Sequence, residues 1–214
     1  MRVGILGSGA VGQALGQAFA QKGHDVVLGT KNPGKPELAA WQRSVGPNAA
    51  LGTFPEAAAH GELVVLCCLG SAALTVIDLA GPARFEAKIL IDVTNPLDFS
   101  KGNPPGLFVG TTDSLGEQVQ HKLPRARVVK CFNVVPNSVM ANPSVGGEMP
   151  DMMIAGNDPT AKSEVVSILR QFGWPGAIDV GGIEGARWLE ALVPLWVRVA
   201  SSFANFRVAF KVLR

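Results

Sequence analysis

Val3-Gly4-Ile5-Leu6-Gly7-Ser8-Gly9-Ala10-Val11-Gly12 carries a short apolar strand through a glycine loop into Ala-rich helical sequence. Strand, glycine loop and helix in that order form the fingerprint of a dinucleotide site. The first glycine makes the tight turn, the second lets backbone approach a pyrophosphate, and the third lets helix pack on strand. The helix N-terminus then offers free N–H groups and the positive end of its dipole to the diphosphate. Gly7, Ser8, Gly9, Ala10, Val11 and Gly12 are therefore the expected pyrophosphate cradle.

Strand-like and helix-like segments alternate outward from this loop, which predicts an α/β, Rossmann-type doubly wound, mainly parallel sheet. Strands are expected at Arg2–Leu6, Val26–Leu28, Ala50–Thr53, Leu63–Leu69, Lys88–Val93, Arg127–Phe132, Asp151–Ala155 and Ala177–Val180. Helices are expected at Ala10–Lys22, Pro36–Val45, Phe54–His60, Ala72–Leu79, Ser114–Leu123 and Pro159–Phe172. A long tract from about Glu184 to the chain end reads as one more helix. Asn95–Gly110 reads as a Pro/Gly-rich loop of functional length. Neither a repeat nor a linker divides the chain, so residues 1–214 are expected to be a single domain, with 150–214 as its C-terminal strand and helix extension.

Rossmann domains select NAD or NADP at the end of the second strand, where a carboxylate binds the ribose 2′-hydroxyl and repels a 2′-phosphate. Thr30, Lys31, Asn32 and Lys35 stand there instead. A hydroxyl and two positive charges with no carboxylate favour NADP(H).

Composition narrows the chemistry further. With 47% hydrophobic and 17% charged residues, the chain is globular, and a net charge of +2 without a basic run removes the nucleic-acid footprint. Three cysteines without CxxC or Cys/His spacing indicate neither a metal site nor a disulfide framework. A chain opening directly on its first strand leaves no room for a secretory signal, so a reducing, cytoplasmic compartment is expected. Tyr is absent, and His24, His60 and His121 fall away from the carboxyl ends of strands, as expected of surface histidines. Ketone reduction wants a positioned acid; hydride exchange between nicotinamide and a flavin or deazaflavin asks mainly for two rings held face to face. No catalytic residue is assigned.

Pocket walls follow from the strand ends: Cys68, Leu69, Gly70 and Ser71, with Gly70 allowing close backbone approach to the cofactor, then Asn95 and Pro96 beside the nicotinamide. Asn133 ends the sixth expected strand, next to Pro136. Asn95 and Asn133 either hydrogen-bond a ring or cap a turn. An NADPH-dependent reduction of a small imine or carbonyl compound, with a bound water or Lys130 as acid, is a second enzymatic reading, although Lys130 within a strand reads first as outward or paired. A non-catalytic NADP-binding redox sensor is the alternative of a different class.

The chain resembles the NADP-dependent deazaflavin (coenzyme F-420) oxidoreductases and the cytoplasmic domain of STEAP-type metalloreductases. The likeness rests on Met1-Arg2-Val3 with its glycine loop, Val27-Leu28-Gly29-Thr30-Lys31 and Asp92-Val93-Thr94-Asn95-Pro96. It also rests on Val129-Lys130-Cys131-Phe132-Asn133 and on Ala186-Arg187-Trp188-Leu189-Glu190-Ala191-Leu192-Val193-Pro194-Leu195. It implies NADP(H) as cofactor, a deazaflavin as the small-molecule redox acceptor, and Asn133 with Pro136 as the border of the second-ring or substrate pocket; FMN or FAD is the other acceptor that hydride exchange between rings allows. Trp188, Leu192, Leu195, Trp196, Val199, Phe203, Phe206 and Phe210 make the terminal tract apolar on most of its circumference, while Glu190, Arg198, Arg207 and Lys211 interrupt it too often for a membrane span. Burial against both its own sheet and a second copy is expected, hence a homodimer through this helix. Pro194 is expected to kink it.

Overall fold

The computed structural model describes residues 1–213. Its first half alternates β1 (Arg2–Leu6), α1 (Ala10–Gln21), β2 (Asp25–Thr30), α2 (Pro36–Val45), β3 (Ala49–Thr53), α3 (Phe54–His60), β4 (Leu63–Leu66), α4 (Ala73–Ala80) and β5 (Ile89–Asp92). A two-stranded ribbon follows, β6 (Leu97–Asp98) antiparallel to β7 (Gly106–Leu107), then α5 (Leu115–Lys122) and β8 (Arg127–Lys130). The remainder is α6 (Asn137–Met140), β9 (Met153–Gly156), α7 (Pro159–Gln171), β10 (Ile178–Asp179) and α8 (Ala186–Ser202).

The main sheet has the order β3-β2-β1-β4-β5-β8-β9-β10. Strands β3 to β8 in that order are parallel; β9 runs antiparallel to β8, and β10 is parallel to β9. The chain direction of successive crossovers reverses between β1 and β4, the switch point where open α/β sheets bind ligands outside their carboxyl ends.

Alternation along each strand explains the two-sided core. Val3, Ile5, Val65, Ile89 and Ile91 face Leu15 and Phe19 of α1, Trp41 of α2, and Val165 and Leu169 of α7. Val64, Leu66 and Leu90 face Ala57 of α3, Ile77 of α4 and Val119 of α5. Both faces are covered, which is why these strands read as continuous apolar runs. At Gly12 the packing leaves no room for a side chain: an added Cβ would lie 1.8 Å from the Gly7 carbonyl oxygen.

Three sequence expectations need correction. The Asn95–Gly110 segment contains the β6–β7 ribbon, because Leu97 and Leu107 pair and are half-buried. A short α6 lies between the expected strands Arg127–Phe132 and Asp151–Ala155, where no element is expected. The terminal helix ends at Ser202 instead of continuing, with Pro194 inside it. Ala204 takes φ +49° and turns the chain back. The return is tied by Trp196 Nε1 donating to the Val208 carbonyl at 2.9 Å and the Asp151 N–H donating to the Phe210 carbonyl at 3.0 Å. An apolar tally could not distinguish a helical turn from this strap, since both bury the same residue types. Arg214, the last residue of the expected helix and domain, lies outside the described residues.

Replacing Gly12 by Val should destabilise the fold by about 3 kcal/mol or more, because backbone rather than a flexible side chain blocks the new atoms. Urea denaturation checks this, and a midpoint equal to the parent's would contradict the packing.

Candidate functional site

Parallel pairing brings the loops after β1, β2, β4, β5 and β8 to one edge of the sheet. Gly7 adopts φ +133°, a region that L side chains rarely enter, and its Cβ position would collide with Cys67 backbone at 2.8 Å. Around Gly9, by contrast, an added Cβ would meet nothing within 4 Å. Open space therefore lies above the start of α1. No side chain caps α1 and no acidic residue occupies its first turn. Side chains of Thr53, Ser114 and Asp158 do cap α3, α5 and α7. Unused N–H groups beside an open cradle fit a pyrophosphate.

At the end of β2 the Ser8 hydroxyl donates to Thr30 Oγ1 at 3.0 Å, so the first and second loops are joined. Thr30 is buried, while Lys31, Asn32 and Lys35 are exposed. Asn32 Oδ1 accepts the Gly34 N–H at 3.1 Å, and Lys35 opens α2. Asn32 is thus occupied in shaping the turn, and the two lysines are the groups free to meet an anion.

Cys67 is buried and Cys68 half-buried at the end of β4. Burial, reinforced by the Asp92 carboxylate, raises the Cys68 thiol to about 12, so it stays protonated. Leu69 and Ser71 are exposed. Gly70 has a reason in the protein itself: its Cβ would sit 1.9 Å from the Asn95 carbonyl oxygen. The expected close approach at Gly70 is therefore made by the β5 loop.

Asn95 and Asn133 meet across the carboxyl ends of β5 and β8. Asn133 Nδ2 donates to Asn95 Oδ1 at 3.0 Å and to the Leu189 carbonyl at 3.0 Å. Asn95 Nδ2 donates to the Asn133 carbonyl at 2.9 Å. Among the described residues this leaves one N–H of Asn95 and Oδ1 of Asn133 without partners. Phe132, just before, holds φ +65°, unusual for a bulky side chain and worth about 1–3 kcal/mol of strain.

Beneath this pair lies a fully buried ion cluster. Lys130 Nζ sits 3.0 Å from Asp92 Oδ2 and 2.7 Å from Glu190 Oε1, and donates to the Thr94 carbonyl at 2.6 Å. Burial alone would depress the ammonium, but Asp92 and Glu190 outweigh it and hold Lys130 above its usual value. Glu190, raised by its own burial, accepts the Leu115 and Gly116 N–H groups at 2.9 Å each, satisfying the start of α5. Asp92 Oδ1 accepts the Thr94 N–H at 2.9 Å and its hydroxyl at 2.6 Å.

The profile of the family described as NADP oxidoreductase coenzyme F420-dependent matches residues 2–96. A crystal structure of an F420-dependent NADP-reductase candidate from Arthrobacter sp. FB24 is 38% identical, with TM-score 0.95 and full coverage of both chains. The chain belongs to this F420-dependent NADP oxidoreductase family. The F420-dependent NADP reductase of Methanocaldococcus jannaschii is 28% identical over 206 residues, covering 92% of this chain and 91% of that protein. The metalloreductase STEAP3 of Rattus norvegicus is 30% identical over 203 residues, which cover 91% of this chain but only 38% of that protein.

Membership makes the chain one of a family of NADP-dependent oxidoreductases, and the positions of its titratable groups matter accordingly. His24 and His60 precede β2 and β4, at the amino edge, and His121 lies in the last turn of α5. His24 is not a surface residue: it is buried, with Nε2 2.8 Å from Gln171 Oε1 and Nδ1 3.3 Å from the N-terminal amine. Lys130 is paired, not outward. Its ammonium is fully buried and engaged by Asp92, Glu190 and the Thr94 carbonyl. Pro136 opens α6, which packs beside α1.

The sequence reading missed Asp92, Glu190 and Phe132. A signal existed for the first: Asp92 and Lys130 interrupt two apolar strands with opposite charges and are register partners. Glu190 was read as a polar interruption of a helix, because nothing local says that it points inward.

Changing Lys130 to Met should cost about 3–5 kcal/mol, since two buried carboxylates lose their cation. A folded pKa above the unfolded one means that the lysine's stabilisation is complete below about pH 10.4 and is lost as pH rises through the folded value. Denaturant melts across that alkaline range test both; a loss under about 1 kcal/mol would show the cluster to be slack.

Proposed function

We propose that the chain binds NADP(H) across the carboxyl edge of its sheet and passes hydride between the nicotinamide and a deazaflavin of the F420 type, with FMN or FAD as the alternative acceptor. The observation that carries this reading is what stands at that edge. Backbone N–H groups and open space lie at β1, exposed lysines at β2, and an amide pair at β5 and β8. Among the described residues, no histidine stands in the turns directly after β4, β5 and β8 (67–72, 93–96 and 131–136), and the lysine that ends β8, Lys130, is buried and paired. NADPH, when bound, would supply the hydride at its nicotinamide C4. The protein's part is then placement.

The α1 N-terminus and the Gly7–Gly12 loop hold the pyrophosphate. Lys31 and Lys35, with the Thr30 hydroxyl, neutralise the 2′-phosphate. Cys68, Leu69, Gly70 and Ser71 form one wall, and Asn95 with Pro96 the floor under the nicotinamide. The free Asn95 N–H and Asn133 Oδ1 suit the carboxamide or the edge of the second ring, which Asn133 and Pro136 border. Residues 1–214 act as one unit in a reducing, cytoplasmic setting. No helix among the described residues is long and apolar enough to cross a membrane.

A homodimer through α8 is part of the same reading. Trp188, Leu192, Leu195 and Val199 share one stripe of α8, with Trp188 61% and Leu195 53% exposed. Leu189, Val193 and Val197 face inward. Changing Trp188 and Leu195 together to Glu should convert a dimer to a monomer in sedimentation, and a parent that already sediments as a monomer removes the dimer from the proposal.

Calorimetric titration with NADPH and NADH tests the nucleotide site. The Gly9→Val chain should fold like the parent yet lose NADPH binding, since its side chain enters the space the pyrophosphate needs. Lys31→Asp should lower the preference for NADPH over NADH by about tenfold or more. NADPH consumption is then followed with F420, FMN and FAD in turn; a parent that binds NADPH but turns over none of them is the redox sensor instead.

A further inference from the structure

We propose that Glu190 is a positioning residue for the nicotinamide half of the site, acting from α8 through the buried cluster and the Asn95–Asn133 pair. The inference rests on the NADP(H) reading and goes beyond it. No resemblance or sequence motif assigns this residue a role.

Three segments must be held in mutual register for the amide pair to face the crevice: the turn after β5, the turn after β8 and the start of α5. Glu190 touches all three, directly or through Lys130. Its Oε2 takes the Leu115 N–H, while its Oε1 takes the Gly116 N–H and lies 2.7 Å from Lys130 Nζ. Lys130 in turn bonds the Thr94 carbonyl, one residue before Asn95. The neighbouring carbonyl on α8, that of Leu189, accepts from Asn133. One turn of α8 therefore fixes both asparagines, Asn133 by its backbone and Asn95 by a charged side chain.

The backbone at this point needs such a hold. Phe132 is left-handed at φ +65°, and its side chain is buried against Phe172, so the turn cannot relax without unpacking the core. Strain of this kind persists only where surrounding contacts over-determine it. Pro194 stands four residues after Glu190 and has no N–H to give its carbonyl, so α8 is locally freed from a regular helical bond at the residue that does the holding. Neither the Gly7–Gly12 loop nor the Lys31 turn takes part in these bonds. Losing Glu190 should consequently loosen the nicotinamide end and spare the phosphate end.

Glu190→Gln is the mildest probe, because Lys130 keeps Asp92 as its counter-charge and the buried pair that remains is neutral. Two ligands are titrated into parent and variant: NADPH, and 2′-phospho-ADP-ribose, which lacks the nicotinamide and its ribose. In the parent NADPH should bind more tightly than the shortened analogue. In Glu190→Gln that advantage should shrink by about tenfold or more, with analogue affinity kept within about twofold. A general loss of folding would weaken both ligands together. Glu190→Asp, which keeps the charge one methylene short, should recover part of the advantage. If Glu190→Gln does not fold, Glu190→Asp carries the comparison alone and should show a smaller loss of the same advantage, with analogue affinity again kept.

An undiminished NADPH advantage in a folded variant overturns the proposal. A parent that binds neither nucleotide overturns the NADP(H) reading, and the positioning role falls with it. A parent with both affinities and the predicted shift, but no turnover with F420, FMN or FAD, leaves the positioning role standing and removes only the hydride acceptor.

Discussion

A lysine ammonium with no access to water holds together the half of the molecule farthest from the glycine loop. Lys130 is shared by carboxylates from β5 and α8 and by the carbonyl of Thr94. Taking three charges out of water is expensive, and breaking such a group is worse than never having built it. An apolar trio would pack as well, but it would not specify direction. Hydrogen-bonded charges fix which residue of α8 lies under which strand end, and the site loops inherit that alignment. Arg187, three residues earlier on α8, reinforces it by pairing with Glu117 of α5, and its hydrogen bonds hold that carboxyl below the usual carboxylate range.

The two ends of the crevice are built from different physics. At β1 the work is done by backbone: a left-handed glycine, an uncapped helix start and empty space where a side chain would otherwise stand. Little there depends on distant parts of the chain. At β5 and β8 it is done by side chains brought together from residues 92 to 190. A dinucleotide held at both ends would be gripped by a local device at the phosphates and a long-range one at the ring.

How legible each part was follows from this division. Local signals fixed β1, α1, α2 and α3 to within a residue, because caps, glycine stops and apolar period all lie within a few positions. The turns after β1 and β2 were placed for the same reason. The reversal of β9 was not, since an apolar run carries no sign of direction. Asn95 and Asn133 were placed at the crevice but not paired, because which amide meets which is set across the sheet. Glu190 was legible only as a charge in an apolar helix; its inward face emerges when α5 and β8 supply its partners. The strap after Ser202 was missed because apolar content does not state whether it is helical.

That strap also sets an order of assembly. The wall beside Asn133, from Val134 to Met153, is closed by Phe210, and Val212 donates its N–H to Asp151 at 2.7 Å. During synthesis the strands from β1 to β5 can pair while translation continues, but this wall has no closing strap until residue 212 has left the ribosome. The open loop after β1 is therefore finished well before the wall beside Asn133, and under the proposed reading a nascent chain could carry nucleotide before it had anywhere to seat the reacting end.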